Sequence, residues 1–367
     1  MKQKKAQVQL TFNWVYIILA GAIILLFFAG LVVQQKSSSE KNLQTEVVNI
    51  MESILVGAGV SEKTKNYIDI SGLSDYVLDF KCDSSGTSFG IKNSGTSIQL
   101  VLDPVFSPQE INSPTLLLWS LPYYHPYKIM DLLMVSSSNT KYYVLGDNSF
   151  KTELEKAVRW EKGEKASFNF EFISDVNKIV AGSNYQVRLL DLTGNNIIAG
   201  NSVPSSLSNL DDSKVTGLSF SGGLTYFQKK NGKWNQLNTQ PLPLISSSGD
   251  MDSAKYAAIF SADGDSYTCN MMKVFKRMSY VNKVYAGKLK ELITYYSNPT
   301  NTGSSTCILM LKSGQNNLDN NLKLLDGAVN SCVLNQNYDS CRSITTYAAK
   351  INQLNLELQE KGCITLY

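Results

Sequence analysis

Apolar and polar positions along the chain fall into distinct regimes. From Trp14 to Val33 the sequence reads WVYIILAGAIILLFFAGLVV, twenty residues without a charge. At 1.5 Å rise per residue such a helix is about 30 Å long, the thickness of a hydrocarbon core, so the run predicts a membrane-spanning helix. A buried core helix is rarely apolar on every face for that length. A cleaved secretory signal has a shorter core and a small-x-small site, whereas this run is followed by Gln34-Gln35-Lys36. Trp14 and Tyr16 sit at one end, where amphipathic rings favour the headgroup layer. After a break at Ser37-Ser38-Ser39, Leu43, Val47, Ile50 and Ile54 recur on one helical face, and Gly57 and Gly59 would end that helix.

Residues 61–145 switch to short β-branched and aromatic runs separated by Gly and Ser. Strands are expected at Tyr67–Ile70, Tyr76–Phe80, Ser97–Leu102, Leu116–Trp119, Ile129–Val135 and Tyr142–Leu145, with a Pro-rich turn at Pro122–Pro126. Phe150 to Trp160 carries Leu154, Ala157 and Val158 at helical spacing. From Ser167, Phe168, Phe170 and Phe172 alternate onto one strand face, and Tyr185–Leu192 follows as a second strand. Leu224–Lys229 and Trp234–Leu237 flank Lys230-Asn231-Gly232-Lys233, a type I′ hairpin signal. Tyr256–Phe260 also reads as a strand. The last third is helical. Val274, Met278, Val281, Tyr285, Leu289, Leu292 and Tyr296 form one stripe, stopped by Asn298-Pro299. Leu318, Leu322, Leu325, Val329 and Cys332 form a second. Ile344, Ala348, Ile351, Leu354 and Leu358 form a third, with Asp339 or Ser340 as N-cap and Gly362 past its end.

The expected class is α+β: an N-terminal transmembrane helix, a β-rich ectodomain and a C-terminal disulfide-linked helical bundle. The divisions fall at 1–13 (cytoplasmic segment), 14–33 (transmembrane helix), 34–60 (amphipathic stalk helix), 61–165 (α+β ectodomain), 166–249 (β-rich domain) and 250–367 (strand plus bundle).

Charge fixes the topology. Lys2, Lys4 and Lys5 precede the span, while Lys36 and Lys41 beyond it are diluted by Glu40 and the Ser run. The positive-inside rule places the N-terminus in the cytoplasm and the body outside. The first 41 residues hold five lysines against one acid, leaving 29 basic and 30 acidic residues in the remainder. A near-neutral body has no field to concentrate nucleic acid, so that partner class is set aside. Membrane lipid is the partner the span implies.

The residues before the span read Lys4-Lys5-Ala6-Gln7-Val8-Gln9-Leu10-Thr11-Phe12. This segment resembles the class III signal peptides of archaeal type IV pilin-like proteins. The resemblance covers only the first thirty-odd residues. It implies cleavage by a prepilin peptidase between Ala6 and Gln7, with the apolar helix kept as the start of the mature protein. It also implies self-assembly, or assembly with other pilin-like subunits. One position departs from the family pattern: Thr11 stands where a Glu is common. The same lysines also serve as plain topology determinants, and Ala-Gln is short enough to arise by chance.

All six cysteines lie beyond the span: Cys82, Cys269, Cys307, Cys332, Cys341 and Cys363. An even number outside the cytoplasm favours disulfides, and six allow 15 pairings. No pair is spaced CxxC, which argues against zinc and thioredoxin-like chemistry. In an up-down-up bundle Cys307 and Cys363 share one end, making that pair the first choice. Cys332–Cys341 spans a short turn and leaves Cys82 to reach Cys269. Free buried thiols are the competing reading.

Chemistry is sparse. The one histidine, His125, lies between two prolines in an aromatic turn, where packing is the ordinary role. A second His is missing for HExxH or a His-rich metal site, and no GxSxG, P-loop or GxGxxG follows a strand. Asp250-Met251-Asp252 and Asp263-Gly264-Asp265 offer paired oxygen ligands for Ca²⁺, but neither fits an EF-hand loop, and solvated turn acids are the favoured reading. No cofactor is expected. The expected function is a non-enzymatic, membrane-anchored extracytoplasmic structural or surface protein. A solitary surface binding module is the alternative, and an ectoenzyme the third.

Overall fold

The computed structural model describes residues 44–367 apart from 60, 62, 74–75, 84–85, 96, 101–102, 159–167, 181, 302–303, 314–315 and 336–337. The apolar run 14–33 and the Ala6–Gln7 pair lie outside the described residues. Among the described residues no helix is long and apolar enough to cross a membrane. The described part is a mixed helix-and-sheet protein with three disulfides and a C-terminal helical region.

Helix α1 (44–59) buries Val47, Val48, Met51, Leu55 and Ala58. The buried stripe is turned from the expected one: Ile50 is 54% exposed, and Gly57 lies inside the helix. Val48 and Met51, not Ile50, meet the residues of the two small sheets. Two small sheets receive this face. One has the order β1-β7-β8-β5, from β1 (Lys65–Asp69), β5 (Val105–Phe106), β7 (Thr115–Tyr124) and β8 (Lys128–Ser137). The other is β4-β3-β2-β6, from β2 (Leu78–Asp83), β3 (Gly86–Ile91), β4 (Ser97–Leu100) and β6 (Glu110–Ile111).

Strand β7 is buried on both faces, which is why Leu116-Leu117-Leu118-Trp119 reads as an unbroken apolar run. Leu116 and Leu118 face α1 and the β2–β3 sheet. Leu117, Trp119, Leu121 and Tyr123 face the other way, into the main core.

That core is shared with a six-stranded sheet, β10-β9-β11-β12-β13-β14, built from β9 (Thr140–Leu145), β10 (Asn169–Ile173), β11 (Gln186–Asp191), β12 (Val215–Ser219), β13 (Thr225–Lys230) and β14 (Lys233–Gln236). Its first four strands are mutually parallel and the last two antiparallel. Alternation sorts the faces. Tyr142, Val144, Leu190 and Leu218 point into the main core, whereas Tyr143, Leu145, Leu189 and Val215 point into a smaller core under the β11–β12 connection. Helix α2 (Ser149–Val158) returns β9 to β10 over the main-core face. The β13–β14 turn has Asn231 and Gly232 at positive φ, as a type I′ hairpin requires.

Helix α3 (Ser253–Phe260) replaces the strand expected at Tyr256–Phe260. All of its residues but Lys255 are buried, so the helical period is erased and only a short apolar run is visible in the sequence. Ala254, Ala257 and Ala258 supply the helix propensity. Helix α4 (Gly264–Tyr296) buries the predicted stripe at Val274, Met278, Leu289, Leu292 and Tyr296. A short α5 (Ser304–Ile308), continued by a π turn at Leu309–Ser313, leads to α6 (Leu318–Asn335) and α7 (Tyr338–Glu360). Leu318, Leu322, Leu325 and Val329 of α6 pack with Ile344, Ala348, Ile351 and Leu354 of α7, all buried. Helix α7 begins at Tyr338, so Asp339 and Ser340 lie within its first turn rather than capping it. Gly362 follows the helix at φ 70°, and Cys363 N–H donates to Leu358 O at 2.8 Å, closing a Schellman-type end.

Candidate functional site

Two places gather polar groups: the turn that carries His125, and the carboxyl edge of the parallel strands. His125 sits between β7 and β8, followed by a cis peptide to Pro126. It is 3% exposed and stacks on Tyr123 with ring centroids 6.1 Å apart. Neither ring nitrogen has a hydrogen-bond partner among the described residues. Burial pushes its pKa down to about 4; Asp252 and backbone groups of Ser246, Ile344 and Tyr124 pull weakly upward without closing a bond. The imidazole is therefore neutral at neutral pH.

Asp252 is 8% exposed, not a solvated turn acid. Its Oδ1 accepts from Ser247 N–H at 3.0 Å, and its Oδ2 pairs with Lys255 at 3.2 Å. The burial follows from position: the residue is the N-cap of α3, which is itself inside the core. Glu153 of α2 accepts from Asp252 N–H at 3.1 Å. Tyr123 donates to Ile245 O at 3.0 Å, and burial raises its pKa. Asp252 is held by Ser247 N–H and Lys255, Glu153 by Asp252 N–H and Tyr123 by Ile245 O, and among the described residues no hydrogen bond joins any of these side chains to the His125 ring as an acid–base partner would.

The remaining paired acids do not converge. Asp250 is exposed and lies 3.5 Å from Lys63. Asp263 caps α4, accepting from Ser266 N–H at 2.8 Å, and Asp265 is in the first turn, where a negative charge suits the helix dipole. No group of three metal-binding side chains occurs among the described residues.

The second place is better shaped for a ligand. The connection after β9 passes over one face of the sheet and the connection after β10 over the other. Open parallel sheets bind ligands beside such a reversal, outside the carboxyl ends of the strands. Here the gap between the β9 and β11 ends is filled. Leu192 N–H donates to Leu145 O at 2.8 Å, and Asn148 Nδ2 donates to Leu192 O at 2.8 Å. Gly146, at φ 114°, lies so close that a Cβ would meet Leu192 C at 2.7 Å. An open cavity of ≈ 660 Å³ remains beside it, over the ends of β9 and β10. Asp147, Lys151, Ser174, Asp175 and Thr193 give it polar walls, and Phe172 and Ile197 apolar ones.

Asp191, fully buried at the end of β11, holds the cavity's far rim. Its Oδ1 accepts from Thr193 N–H at 3.0 Å and from Thr193 Oγ1 at 2.6 Å, and its Oδ2 accepts from Ile197 N–H at 2.6 Å. Sequence reasoning missed this residue; the signal was the Asp-x-Thr-Gly string after a strand, which reads as an Asx turn. No family model matches the chain, and no curated protein or solved structure matches it.

The six candidate cysteines form Cys82–Cys269, Cys307–Cys363 and Cys332–Cys341. The second joins the α5 region to the chain beyond α7, the third closes the α6–α7 turn, and the first ties β2 to α4.

Proposed function

We propose that the chain is a non-enzymatic, membrane-anchored extracytoplasmic surface protein of the pilin-like kind. The observation that carries this reading is α1. It begins at most ten residues after the charge-free run 14–33 and lays one whole face against the head. The head is thus packed on the first helix described after the apolar run. Three disulfides in one chain support an oxidising compartment. The mature N-terminus tests the reading: mass spectrometry is expected to find Gln7 first, with the protein retained in membranes through alkaline washing and the head removed by protease shaving of intact cells. An intact Met1 or Lys2 removes the pilin-like processing, and release by alkali removes the anchor.

The ≈ 660 Å³ cavity favours a second reading, a solitary surface binding module. Negative-stain microscopy of the purified full chain separates the two. Filaments support assembly, and uniformly single particles support the binding module.

A further inference from the structure

The three disulfides differ in surroundings. Cys307 and Cys363 are 1% and 7% exposed, and Cys332 and Cys341 are fully buried. Cys82 and Cys269 are only half-buried. Beside them, α4 projects Cys269, Asn270 and Lys273 toward the β2–β3 hairpin. Asn270 is locked: it donates to Val105 O at 3.0 Å and accepts from Val105 N–H at 3.2 Å, taking the place of a strand along β5. Thr87 Oγ1 donates to Asn270 Oδ1 at 2.8 Å and lies 3.6 Å from Cys82 Sγ. The same hydroxyl accepts from Lys273 Nζ. The Lys273 ammonium is therefore one hydroxyl away from the Cys82 sulfur.

Lys273 is 7% exposed and has no carboxylate in contact among the described residues. The charges that reach it are Asp83 and Asp103, which favour its protonated form, and Lys276, which opposes it. Burial outweighs them and pushes its pKa down to about 8. A buried cation stabilises an anion formed close to it.

We propose that Cys82–Cys269 is a thiol–disulfide exchange site, opened by a dithiol reductant with Cys82 as the leaving sulfur beside Lys273. A thiolate of the reductant attacks Cys269 Sγ, forming a mixed disulfide and breaking the Cys82–Cys269 bond. The electron pair leaves on Cys82 Sγ as a thiolate, with the Thr87 hydroxyl between it and the Lys273 ammonium. The reductant's second thiolate then attacks the mixed disulfide. Cys269 departs as a thiolate and takes a proton from solvent. Two electrons have passed to the protein, and the reductant ends as its own disulfide. The cysteines of the other two bridges are all buried. Opening the site removes the covalent tie between β2 and α4, leaving the Thr87 hydrogen bonds to Asn270 and Lys273 and the stapled helical bundle in place.

The test uses the full chain in detergent micelles, exposed to graded dithiothreitol, quenched with a maleimide and mapped by peptide mass. Cys82 and Cys269 are expected to label first, about tenfold faster than the other four cysteines. Lys273→Met is expected to slow opening about threefold or more, and Lys273→Arg to keep the native rate. In the wild-type protein reduced at this bridge, the pH dependence of Cys82 alkylation is expected to show a thiol pKa below the ordinary ~8.5. Labelling of Cys307, Cys332, Cys341 or Cys363 at the same rate overturns the proposal, as does an unchanged rate in Lys273→Met. Where that variant does not fold, a Cys82 pKa at or above the ordinary value overturns it on the native sequence.

Discussion

At position 125 the chain holds its only imidazole, sealed against Tyr123 with neither nitrogen bonded among the described residues. Folded His125 takes a proton only near pH 4, whereas an unfolded His does so near 6.5, so the unfolded chain binds more protons between those values. The contribution to stability is complete above pH ~6.5 and is lost as pH falls toward 4, by up to about 1.4 kcal/mol per pH unit. Urea midpoints of wild type and His125→Phe at pH 7 and pH 4.5 should separate this from the carboxylates. The variant is expected to be as stable at pH 7 and to lose the acid-side decline. Arg188 shows the opposite economy. It is buried in β11 with no carboxylate in contact among the described residues, yet its guanidinium donates to Ile259 O at 2.7 Å, to Ser261 O, and to Ala262 O at 2.6 Å, closing the carboxyl end of α3. Arg188→Met is expected to cost about 3 kcal/mol in denaturant unfolding, because those carbonyls stay buried without a donor. Asp191→Ala is expected to cost about 2–4 kcal/mol for the same reason in reverse, stranding the N–H groups of Thr193 and Ile197. The Arg188 role was not legible in the sequence, and that of Asp191 showed only as the Asp-x-Thr-Gly turn string. Each polar residue sits mid-strand or at a strand end, and the carbonyls that Arg188 binds lie more than seventy residues away.

Elements with one buried face announced themselves. The stripes of α4, α6 and α7 and the Asn231-Gly232 hairpin stand where the period placed them, since each has a wet side that keeps the polar positions polar. Elements wrapped on all sides did not. Helix α3 loses its period because it has almost no wet side, and a run of five apolar residues is compatible with either structure. The parallel pairing of β9 with both β10 and β11 is a long-range property that no local window contains. In α1 the period was visible but its phase was not, since Ile50 and Val48 differ only in which of them meets the head. That phase yields a check: Leu55→Ala, at a site 1% exposed, is expected to cost about 2–5 kcal/mol, whereas Ile50→Ala should change stability by about 0.5 kcal/mol or less. The candidate cavity was equally hidden, because its walls come from three separate segments, after β9, β10 and β11, joined only by the sheet.

The whole molecule is layered: α1 and the β2–β3 sheet, then the β7–β8 sheet, then a core closed by α3, α4 and the six-stranded sheet, with the α6–α7 pair packed on α4. The cysteine spacing fitted this order because helix ends are predictable even where sheets are not. Removing each bridge by paired Cys→Ala substitution should follow loop length. Chain entropy gives about 5 kcal/mol for Cys82–Cys269, about 4 for Cys307–Cys363 and about 2.5 for Cys332–Cys341, from separations of 187, 56 and 9. Denaturant midpoints that reverse this ranking would show native-state packing outweighing the unfolded chain. The long bridge also sets how far the protein stretches under load. A pull between the N-terminal segment and the bundle runs through α1, β1 and β2 to Cys82, then jumps across the bond to Cys269 and on along α4. With the bond closed, the 187-residue span is shielded from the force. With it open, that span can pay out about 650 Å of added contour length at ~3.5 Å per residue. The redox state of one disulfide then decides whether the head is a short, stiff link or a long, compliant one.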